Sequence, residues 1–287
     1  MSPDTIRCPL CSTSMPVVGK TSILSGPSGL PAPVAFCRHC DLYRADVLSG
    51  THIDAGYCAG YTRRSLERAW LKRRDGFCRY LLQLIDQSLP PGRPAPVLVD
   101  FGSCYGHLLA VAAQHGYRVV GVEVNPELVS LSRRWGLRVV TSLDDVAPGV
   151  DVITFIDSFY YVEHPYETLC AARTKLREGG VVLLRMTNRN WLAALRGRLA
   201  GDDLSLLGDA LFSYSPGALR KLLDRSGFVV CKEVADRGVG KALGWPKRAA
   251  YMLLQLLTTL SANRIALTPG IITIAAPAGR AGNPKSR

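Results

Sequence analysis

From Val97 to Thr187 the sequence alternates between short apolar runs and segments with helical periodicity. The apolar runs have the length of strands and read "VLVDF", "YRVVGVEV", "LRVVTS", "VDVITFID" and "GGVVLLRMT". Strands that alternate with helices form a parallel sheet whose two faces are covered by helices. The pattern therefore predicts an α/β, doubly wound, mostly parallel Rossmann-like sheet that binds its ligand at the carboxyl ends of the strands.

Proline and glycine residues mark where these elements begin and end. The stretch "PPGRPAP", Pro90 to Pro96, cannot continue a helix and predicts a boundary before the first strand. The first helix is predicted to end at Gly116. The second is predicted to run from Pro126 to Gly136, and a later one from Tyr166 to Arg177.

The turn after the first strand, "DFGSCYG", departs from a dinucleotide-binding turn. Such a turn has the pattern G-x-G-x-x-G, in which the second glycine lets the backbone approach a pyrophosphate. Gly102 and Gly106 are present here, but Cys104 lies between them. The turn is therefore poorly suited to a pyrophosphate.

A carboxylate follows the second strand at the position expected for a nucleoside site. Glu123 lies 21 residues after Gly102, where an acidic side chain can accept hydrogen bonds from both ribose hydroxyls. S-adenosylmethionine is a nucleoside ligand without a pyrophosphate, so it tolerates Cys104. Its sulfonium is cationic, and Asp100 at the end of the first strand also fits it electrostatically. These residues predict an S-adenosylmethionine site.

Four of the nine cysteines occur as two C-x-x-C pairs, "CPLC" and "CRHC". Two such turns supply the four thiolates of a tetrahedral Zn²⁺ site, which leaves no open position for chemistry. We therefore predict a structural zinc ribbon held by Cys8, Cys11, Cys37 and Cys40. The 25 residues between the pairs include "SGPSGLPAP", which is predicted to be a looped-out tip. Because no secretory signal is visible, a cytoplasmic, reducing environment is expected.

The chain carries an excess of positive charge, with 35 Lys and Arg against 23 Asp and Glu. This favours an anionic partner such as nucleic acid, a nucleotide-linked substrate or a lipid surface. Seven of the cations fall between Arg63 and Arg79, on a predicted amphipathic helix with Phe77, Leu81 and Leu84 on its apolar face. The basic face is either an ordinary solvated surface or an anion-binding groove. No apolar run reaches the roughly 18 residues that a membrane span requires.

From Val97 to about Asn188 the chain resembles the class I S-adenosylmethionine-dependent methyltransferases. The segments similar to their motifs are "DFGSCYGHLL", "GVEVNPE", "VDVITFIDSFYYVEHP" and "LREGGVVLLRMTN", followed by "LFSYSPGALRKLLDRSGF" and a last antiparallel strand, "GIITIAA". The cysteine pairs and the following "GYCAGY" are similar to the zinc-ribbon methyltransferases of sugar and polysaccharide biosynthesis. The resemblance implies a methyltransferase sheet with a small N-terminal zinc ribbon.

The resemblance also implies which residues bind the cofactor at the strand ends. These are Asp100, Gly102, Ser103, Gly106, Glu123, Ser142, Leu143 and Asp157. Ser142 and Leu143 are expected beside the adenine, and Asp157 near the methionine end.

The acceptor is expected over the ends of the fourth and fifth strands. His164 is the candidate base, because an imidazole with a pKa of ~6.5 accepts a proton at neutral pH. In the resembling family the histidine of "EHP" often shapes the pocket, and both roles stay open. Tyr160 either packs in the core or directs its hydroxyl to a sugar.

The expected organisation is a zinc ribbon over residues 1–50, a basic helical connector over 51–96 and a methyltransferase domain over 97–287. Residues 191–211 are expected to form a lid or substrate insertion. Near the C-terminus, "KRAAYMLLQLLTTL" is predicted to be a helix that packs on the sheet, forms a dimer face or lies on a membrane surface with Lys247 and Arg248 at its start.

The main hypothesis from the sequence is transfer of a methyl group from S-adenosylmethionine to a small, anionic or glycosidic acceptor, such as a sugar, nucleotide sugar or secondary metabolite. One alternative is an RNA base methyltransferase, which the basic helix and the zinc ribbon support. Another is a zinc-bearing nucleic-acid or assembly module without catalytic activity, which Cys104 supports.

Overall fold

The structure of the chain is a computed structural model that describes residues 6–25, 31–47, 68–188, 190, 193, 203–236, 245–261, 268 and 270–279. Strands β1 to β11 span Val17–Ser25, Pro31–Cys37, Leu42–Ala45, Val97–Phe101, Arg118–Val122, Val139–Val140, Val150–Ile156, Leu176–Thr187, Phe212–Tyr214, Phe228–Ala235 and Gly270–Pro277. Helices α1 to α6 span Arg68–Asp86, His107–Gln114, Pro126–Arg134, Pro165–Lys175, Pro216–Arg225 and Trp245–Leu260. In addition, short 3-10 turns occupy Leu143–Asp145, Phe159–Tyr161 and Ser205–Leu207.

The larger sheet has seven strands in the order β10-β11-β8-β7-β4-β5-β6. The pairs β4/β5, β4/β7, β5/β6 and β7/β8 are parallel. Strand β11 is antiparallel to both of its neighbours, β8 and β10. The predicted α/β, mostly parallel Rossmann-like sheet is therefore confirmed, and "GIITIAA" is its antiparallel strand.

Both faces of this sheet are buried, as the apolar strands predict. On one face, Leu81 and Leu82 of α1 pack in the same cluster as Leu109 of α2 and Val152 of β7. On the other face, α4 and α5 form a second cluster with the remaining inward residues of β7 and β8. The amphipathic helix predicted from the sequence corresponds to α1. Of the predicted basic segment, residues 63–67 and the side chains of 68–73 lie outside the described part of the chain.

Helix α3 begins at the predicted proline, Pro126. Asn125 caps α3, because its side chain accepts a hydrogen bond from the Glu127 backbone N–H at 3.0 Å, and Pro126 follows at the first helical position. The boundary at Arg177 was wrong: α4 ends at Lys175 and the chain continues directly as β8. Leu176 pairs with Val150, so strand pairing takes the residues that a helical pattern would continue through.

The smaller sheet has four strands in the order β1-β2-β3-β9 and contains the segment between the two cysteine pairs. Strands β1 and β2 form an antiparallel hairpin in which Pro33 pairs with Lys20 and Pro31 with Ser25. The prediction of a loop through Pro33 is therefore wrong for Pro31–Pro33, because the two prolines lie in a strand of the hairpin. The fourth strand, β9, comes from a distant part of the sequence and pairs with β3, with Leu42 opposite Tyr214.

The predicted lid is only partly described. Residues 191, 192 and 194–202 lie outside the described residues. The described remainder packs on the small sheet, where the Leu204 backbone N–H donates to the Lys20 carbonyl at 2.8 Å. Among the residues that the structure describes, no helix is both long and apolar enough to span a bilayer.

Candidate active site

A cavity of about 860 Å³ opens at the carboxyl edge of the larger sheet, where the fold predicts a ligand. Its walls come from the segments that follow the parallel strands and from the first turn of α4. The lining includes Gly102, Cys104, Glu123, Asn125, Ser142, Leu143, Asp157, Tyr160, Tyr161, Glu167 and Arg185. The cavity is large enough for a drug-sized ligand.

The turn after β4 is built from backbone conformations that favour glycine. Gly102 and Gly106 have φ values of +73° and +81°, and Cys104 between them has φ +53°. The backbone N–H groups of Gly102 and Ser103 both donate to the Val122 carbonyl, at 2.8 and 3.1 Å. Cys104 therefore occupies the left-handed conformation of the glycine that it replaces, with a side chain that lines the cavity.

Glu123 connects this turn to the end of β5. One carboxylate oxygen accepts the Cys104 backbone N–H at 2.8 Å, and the other accepts those of Val124 and Asn125 at 2.8 and 2.9 Å. Three donors hold the side chain in one orientation while it lines the cavity at 8% exposure. Each carboxylate oxygen has two lone pairs, so capacity remains for a ligand hydroxyl.

Asn125 supplies an unsatisfied donor beside Glu123. Its Nδ2 is buried without a hydrogen-bond partner, while its Oδ1 is used in the α3 cap. A buried donor without a partner is costly in the absence of a ligand or water. Asn125 Nδ2 is thus a candidate for contact with a nucleoside. The sequence reasoning missed this residue, although its place before Pro126 in "NPE" marks it as a helix N-cap.

The predicted cofactor residues fall into two groups. Gly102, Glu123, Ser142, Leu143 and Asp157 line the cavity together. The other three, Asp100, Ser103 and Gly106, do not line this cavity. Ser103 and Gly106 are small, buried residues that allow the turn to pack closely. A Cβ on Gly106 would clash with Leu137 Cδ1, and the Ser103 hydroxyl lies against Gly121.

Asp100 lies below the turn, at the end of β4. Its carboxylate is 4% exposed and accepts a hydrogen bond from the Thr154 hydroxyl at 2.7 Å. Burial raises the pKa of Asp100 to about 7, although the Thr154 hydrogen bond and Arg74 act in the opposite direction. The side chain is thus a buried acid that supports the turn from below.

On the opposite wall, an arginine that the sequence reasoning missed joins two acids. Arg185 in β8 forms ion pairs with Asp157, at the end of β7, and with Asp236, after β10; its Nε donates to Asp236 at 2.9 Å. Because both acids favour its charge, the pKa of Arg185 is raised in spite of burial. The available signal was the single charge within "GGVVLLRMT".

Two tyrosines continue this wall. Tyr160 and Tyr161 lie in the 3-10 turn after β7, with ring centroids 4.7 Å apart, and both line the cavity. The Tyr161 hydroxyl donates to Asp209 at 2.8 Å. Tyr160 is 8% exposed, so it packs in the core and reaches the cavity at the same time.

His164 lies at the exposed N-cap of α4 and is not part of the cavity lining. Its backbone carbonyl accepts from the Thr168 N–H at 3.0 Å and the Thr168 hydroxyl at 2.9 Å. This geometry favours a role in shaping the start of α4, where Glu167 and Thr168 face the cavity.

The four predicted metal ligands lie together at one end of the small sheet. The sulfur atoms of Cys8, Cys11, Cys37 and Cys40 all lie within 4.8 Å of one another. The Cys11 and Cys37 sulfurs are 3.6 Å apart and are not joined in a disulfide. A tetrahedral zinc with bonds of about 2.3 Å requires sulfur separations of about 3.8 Å, so the donor set fits Zn²⁺.

Comparison with protein families identifies the chain. A family model described as a methyltransferase domain matches residues 69–233, more than half of the sequence. The chain belongs to this methyltransferase family. It is a class I S-adenosylmethionine-dependent methyltransferase. No match was found among curated proteins.

Solved structures confirm the fold of the methyltransferase. One is a magnesium protoporphyrin IX methyltransferase from Synechocystis PCC 6803 with bound S-adenosylhomocysteine: TM-score 0.52, 13% identity, and coverage of 78% of this chain and 95% of that one. Another is the plantazolicin methyltransferase BpumL in complex with S-adenosylhomocysteine. It has a TM-score of 0.52 and 12% identity, and the match covers 78% of this chain and 91% of that one. A third is an S-adenosylmethionine-dependent methyltransferase from Clostridium acetobutylicum. It has a TM-score of 0.50 and 14% identity, and the match covers 79% of this chain and 100% of that one.

Proposed function

We propose that the protein transfers a methyl group from S-adenosylmethionine to a small polar acceptor, such as a sugar, a nucleotide sugar or a related secondary metabolite. The observation that carries the proposal is a cavity lined by the Glu123 carboxylate and the unsatisfied Asn125 amide on one side and by Tyr160, Tyr161 and the Asp157–Arg185 ion pair on the other. Glycosidic acceptors present hydroxyls that the Asp157 carboxylate can bind, and Arg74, which also lines the cavity, is a cation that can attract the phosphates of a nucleotide-linked acceptor.

In this proposal the two walls have separate roles. Glu123 and Asn125 bind the nucleoside, with Ser142 and Leu143 beside the adenine. When bound, S-adenosylmethionine supplies an activated methyl group on a good leaving group. The chain therefore has to orient the acceptor and exclude water. Tyr160 and Arg185 are the proposed acceptor contacts.

The cofactor half of the proposal is tested at Glu123. Glu123→Ala removes the acceptor atoms proposed for the ribose, so we expect binding of S-adenosylhomocysteine to fall below detection by calorimetry. Glu127→Ala is the matched control, because Glu127 is an exposed glutamate of α3 outside the cavity. Glu123→Gln keeps one carbonyl oxygen that can accept hydrogen bonds from the backbone of the turn. Thermal unfolding of this variant shows whether the fold is kept, so that a loss of binding can be told apart from a loss of fold. Unchanged affinity in Glu123→Ala would refute the assigned site.

The acceptor half is tested with a labelled methyl group. Purified protein with methyl-labelled S-adenosylmethionine is incubated with free sugars, nucleotide sugars and total RNA in parallel. Label in the sugar fractions supports the proposal, and label in RNA alone assigns the acceptor to nucleic acid. Tyr160→Phe is expected to raise the acceptor KM and leave S-adenosylhomocysteine affinity unchanged.

We also propose that the four cysteines hold one structural zinc ion. The support is their donor set: three of the four are buried, and four thiolates complete a tetrahedral shell. Each turn is followed by a left-handed residue, Ser12 at φ +60° and Asp41 at φ +54°, and the Ser12 backbone N–H closes the first turn by donating to the Cys8 carbonyl at 2.8 Å. Metal binding to such a site contributes directly to folding.

A further inference from the structure

Helix α6 has an unusual distribution of apolar residues. Met252, Leu253, Leu256, Leu257 and Leu260 are 60, 56, 55, 43 and 73% exposed. Their spacing of one, three and four residues places them along one side of the helix. The five side chains therefore form a continuous apolar stripe, which we call the α6 stripe.

The inner side of α6 includes two polar side chains. Thr258 is fully buried, and the Gln255 side chain donates to the Asp236 carbonyl at 3.2 Å. A helix on the surface of a globular protein normally directs its apolar side to the core and its polar side to solvent. Among the described side chains of α6, the exposed side is instead the apolar one, while Leu254 is half-buried on the inner side. A contiguous exposed apolar surface of this kind marks an interaction site.

The position of α6 relates this surface to the cavity. Strand β10 runs in the same direction as β8, because both are antiparallel to β11. Asp236 therefore lies at the same edge of the sheet as the cavity. Asp236 pairs with Arg185, which lines the cavity, and its carbonyl accepts from Gln255 of α6. The helix is thus attached to the edge at which the acceptor is expected.

The charge and the size of the stripe indicate what it contacts. The first turn of α6 contains Lys247 and Arg248, the helix has no acidic residue, and the whole chain carries a formal charge of +12. A helix of 16 residues is about 24 Å long. The α6 stripe takes up nine of these residues, about 13 Å. A stripe of that length and about 10 Å wide buries roughly 300 Å² between two copies, well below the roughly 1,000 Å² of a specific interface. The same helix is too short to cross a bilayer.

We propose that the α6 stripe docks the protein on an anionic lipid surface, with the helix lying in the interfacial plane. An interfacial helix combines an apolar face with Lys and Arg residues, and α6 has both, with its two cations in the turn before the stripe. Anionic headgroups attract the cations, and the leucines enter the acyl boundary. This places the carboxyl edge of the sheet, with the cavity, towards the membrane. The proposal does not depend on the identity of the acceptor.

The test is sedimentation of the full-length protein with vesicles of phosphatidylglycerol and phosphatidylcholine, compared with pure phosphatidylcholine. We expect binding to the anionic vesicles that weakens with salt. Leu253→Gln combined with Leu256→Gln should lower the partition coefficient at least about tenfold, since each leucine contributes more than about 1 kcal/mol. Lys247→Gln combined with Arg248→Gln should lower it about fivefold per cation.

The control is Val229→Gln. Val229 is 53% exposed, similar to Leu256, but lies at the opposite end of β10. S-adenosylhomocysteine affinity, measured in every variant, shows that the cavity and the fold are intact. The proposal is overturned if the wild type does not sediment with anionic vesicles, or if Val229→Gln weakens binding as much as the leucine variant. It is also overturned if the wild type forms a dimer that the leucine variant dissolves, because the stripe would then contact a second copy.

Discussion

Replacing Cys104 with glycine tests the account of the turn after β4. Cys104 has φ +53°, a conformation that side chains with a Cβ rarely adopt. Its backbone N–H donates to Glu123 at 2.8 Å, so the conformation is maintained by the residue that we assign to the ribose. Glycine at this position would keep that hydrogen bond and remove the steric strain.

The expected gain follows from two opposing contributions. A residue with a Cβ in the left-handed region costs about 1 to 2 kcal/mol. Glycine also lowers the free energy of unfolding by about 0.4 to 1 kcal/mol, because it increases the conformational entropy of the unfolded chain. The net effect on the free energy of unfolding is a gain of about 0 to 1.5 kcal/mol for Cys104→Gly.

Cys104→Ala is the matched control. Alanine also removes the sulfur but keeps the Cβ, so the steric strain of the left-handed backbone conformation remains. At about 2 to 4 °C per kcal/mol for a chain of this size class, Cys104→Gly should unfold up to about 6 °C above Cys104→Ala in a thermal scan. The Gly variant should also bind S-adenosylhomocysteine more tightly than the Ala variant. Without strain, glycine would be about 0.4 to 1 kcal/mol less stable than alanine, so an alanine variant that is more stable than the glycine variant would refute the claim that the backbone of Cys104 is strained.

Two further predictions concern Asp100 and the cysteine cluster. Burial raises the pKa of Asp100 from 3.8 to about 7, so between about pH 4 and 7 the folded state keeps a proton that the unfolded state releases. Stability should therefore fall as pH rises through this window, and Asp100→Asn should flatten that fall by on the order of a few kcal/mol in chemical unfolding across pH; an identical slope in both proteins would contradict it. Cys37→Ser should lower the metal content from about one zinc ion per chain and lower the unfolding temperature, whereas Cys78→Ser, a buried thiol outside the cluster, should leave the metal content unchanged, as measured by elemental analysis; full occupancy in Cys37→Ser would contradict the ligand set.

The elements of the larger sheet were predictable because their signals are local. Each apolar run and each helical pattern lies within about ten residues, and Asn125 and Pro126 mark a helix start by short-range hydrogen bonding and a fixed φ. The position of Glu123 was predictable for the same reason, because this residue directly follows the last residue of β5. The glycine turn was also visible as a departure at Cys104, although only coordinates give its φ.

The pairings that sequence reasoning missed are long-range. Arg185 was visible as a lone charge in an apolar strand, but its partners, Asp157 and Asp236, follow two other strands and become neighbours only in the assembled sheet. The pairing of β3 with β9 is similar, because periodicity assigns a strand and does not identify its partner. For His164 the motif gave the position but not the direction of the ring, which depends on how α4 begins.

The pairing of β3 with β9 changes how the cysteine cluster relates to catalysis. Cys37 and Cys40 lead directly into β3, and β3 holds β9 by antiparallel pairing. The Tyr214 ring of β9 lies 5.8 Å from Phe159, the first residue of the turn that carries the two cavity tyrosines. The cysteine sulfurs and Phe159 belong to one continuous apolar cluster. The cysteine cluster therefore supports, through packed contacts, the turn that carries the proposed acceptor contact Tyr160, while Glu123, proposed to bind the cofactor, follows β5.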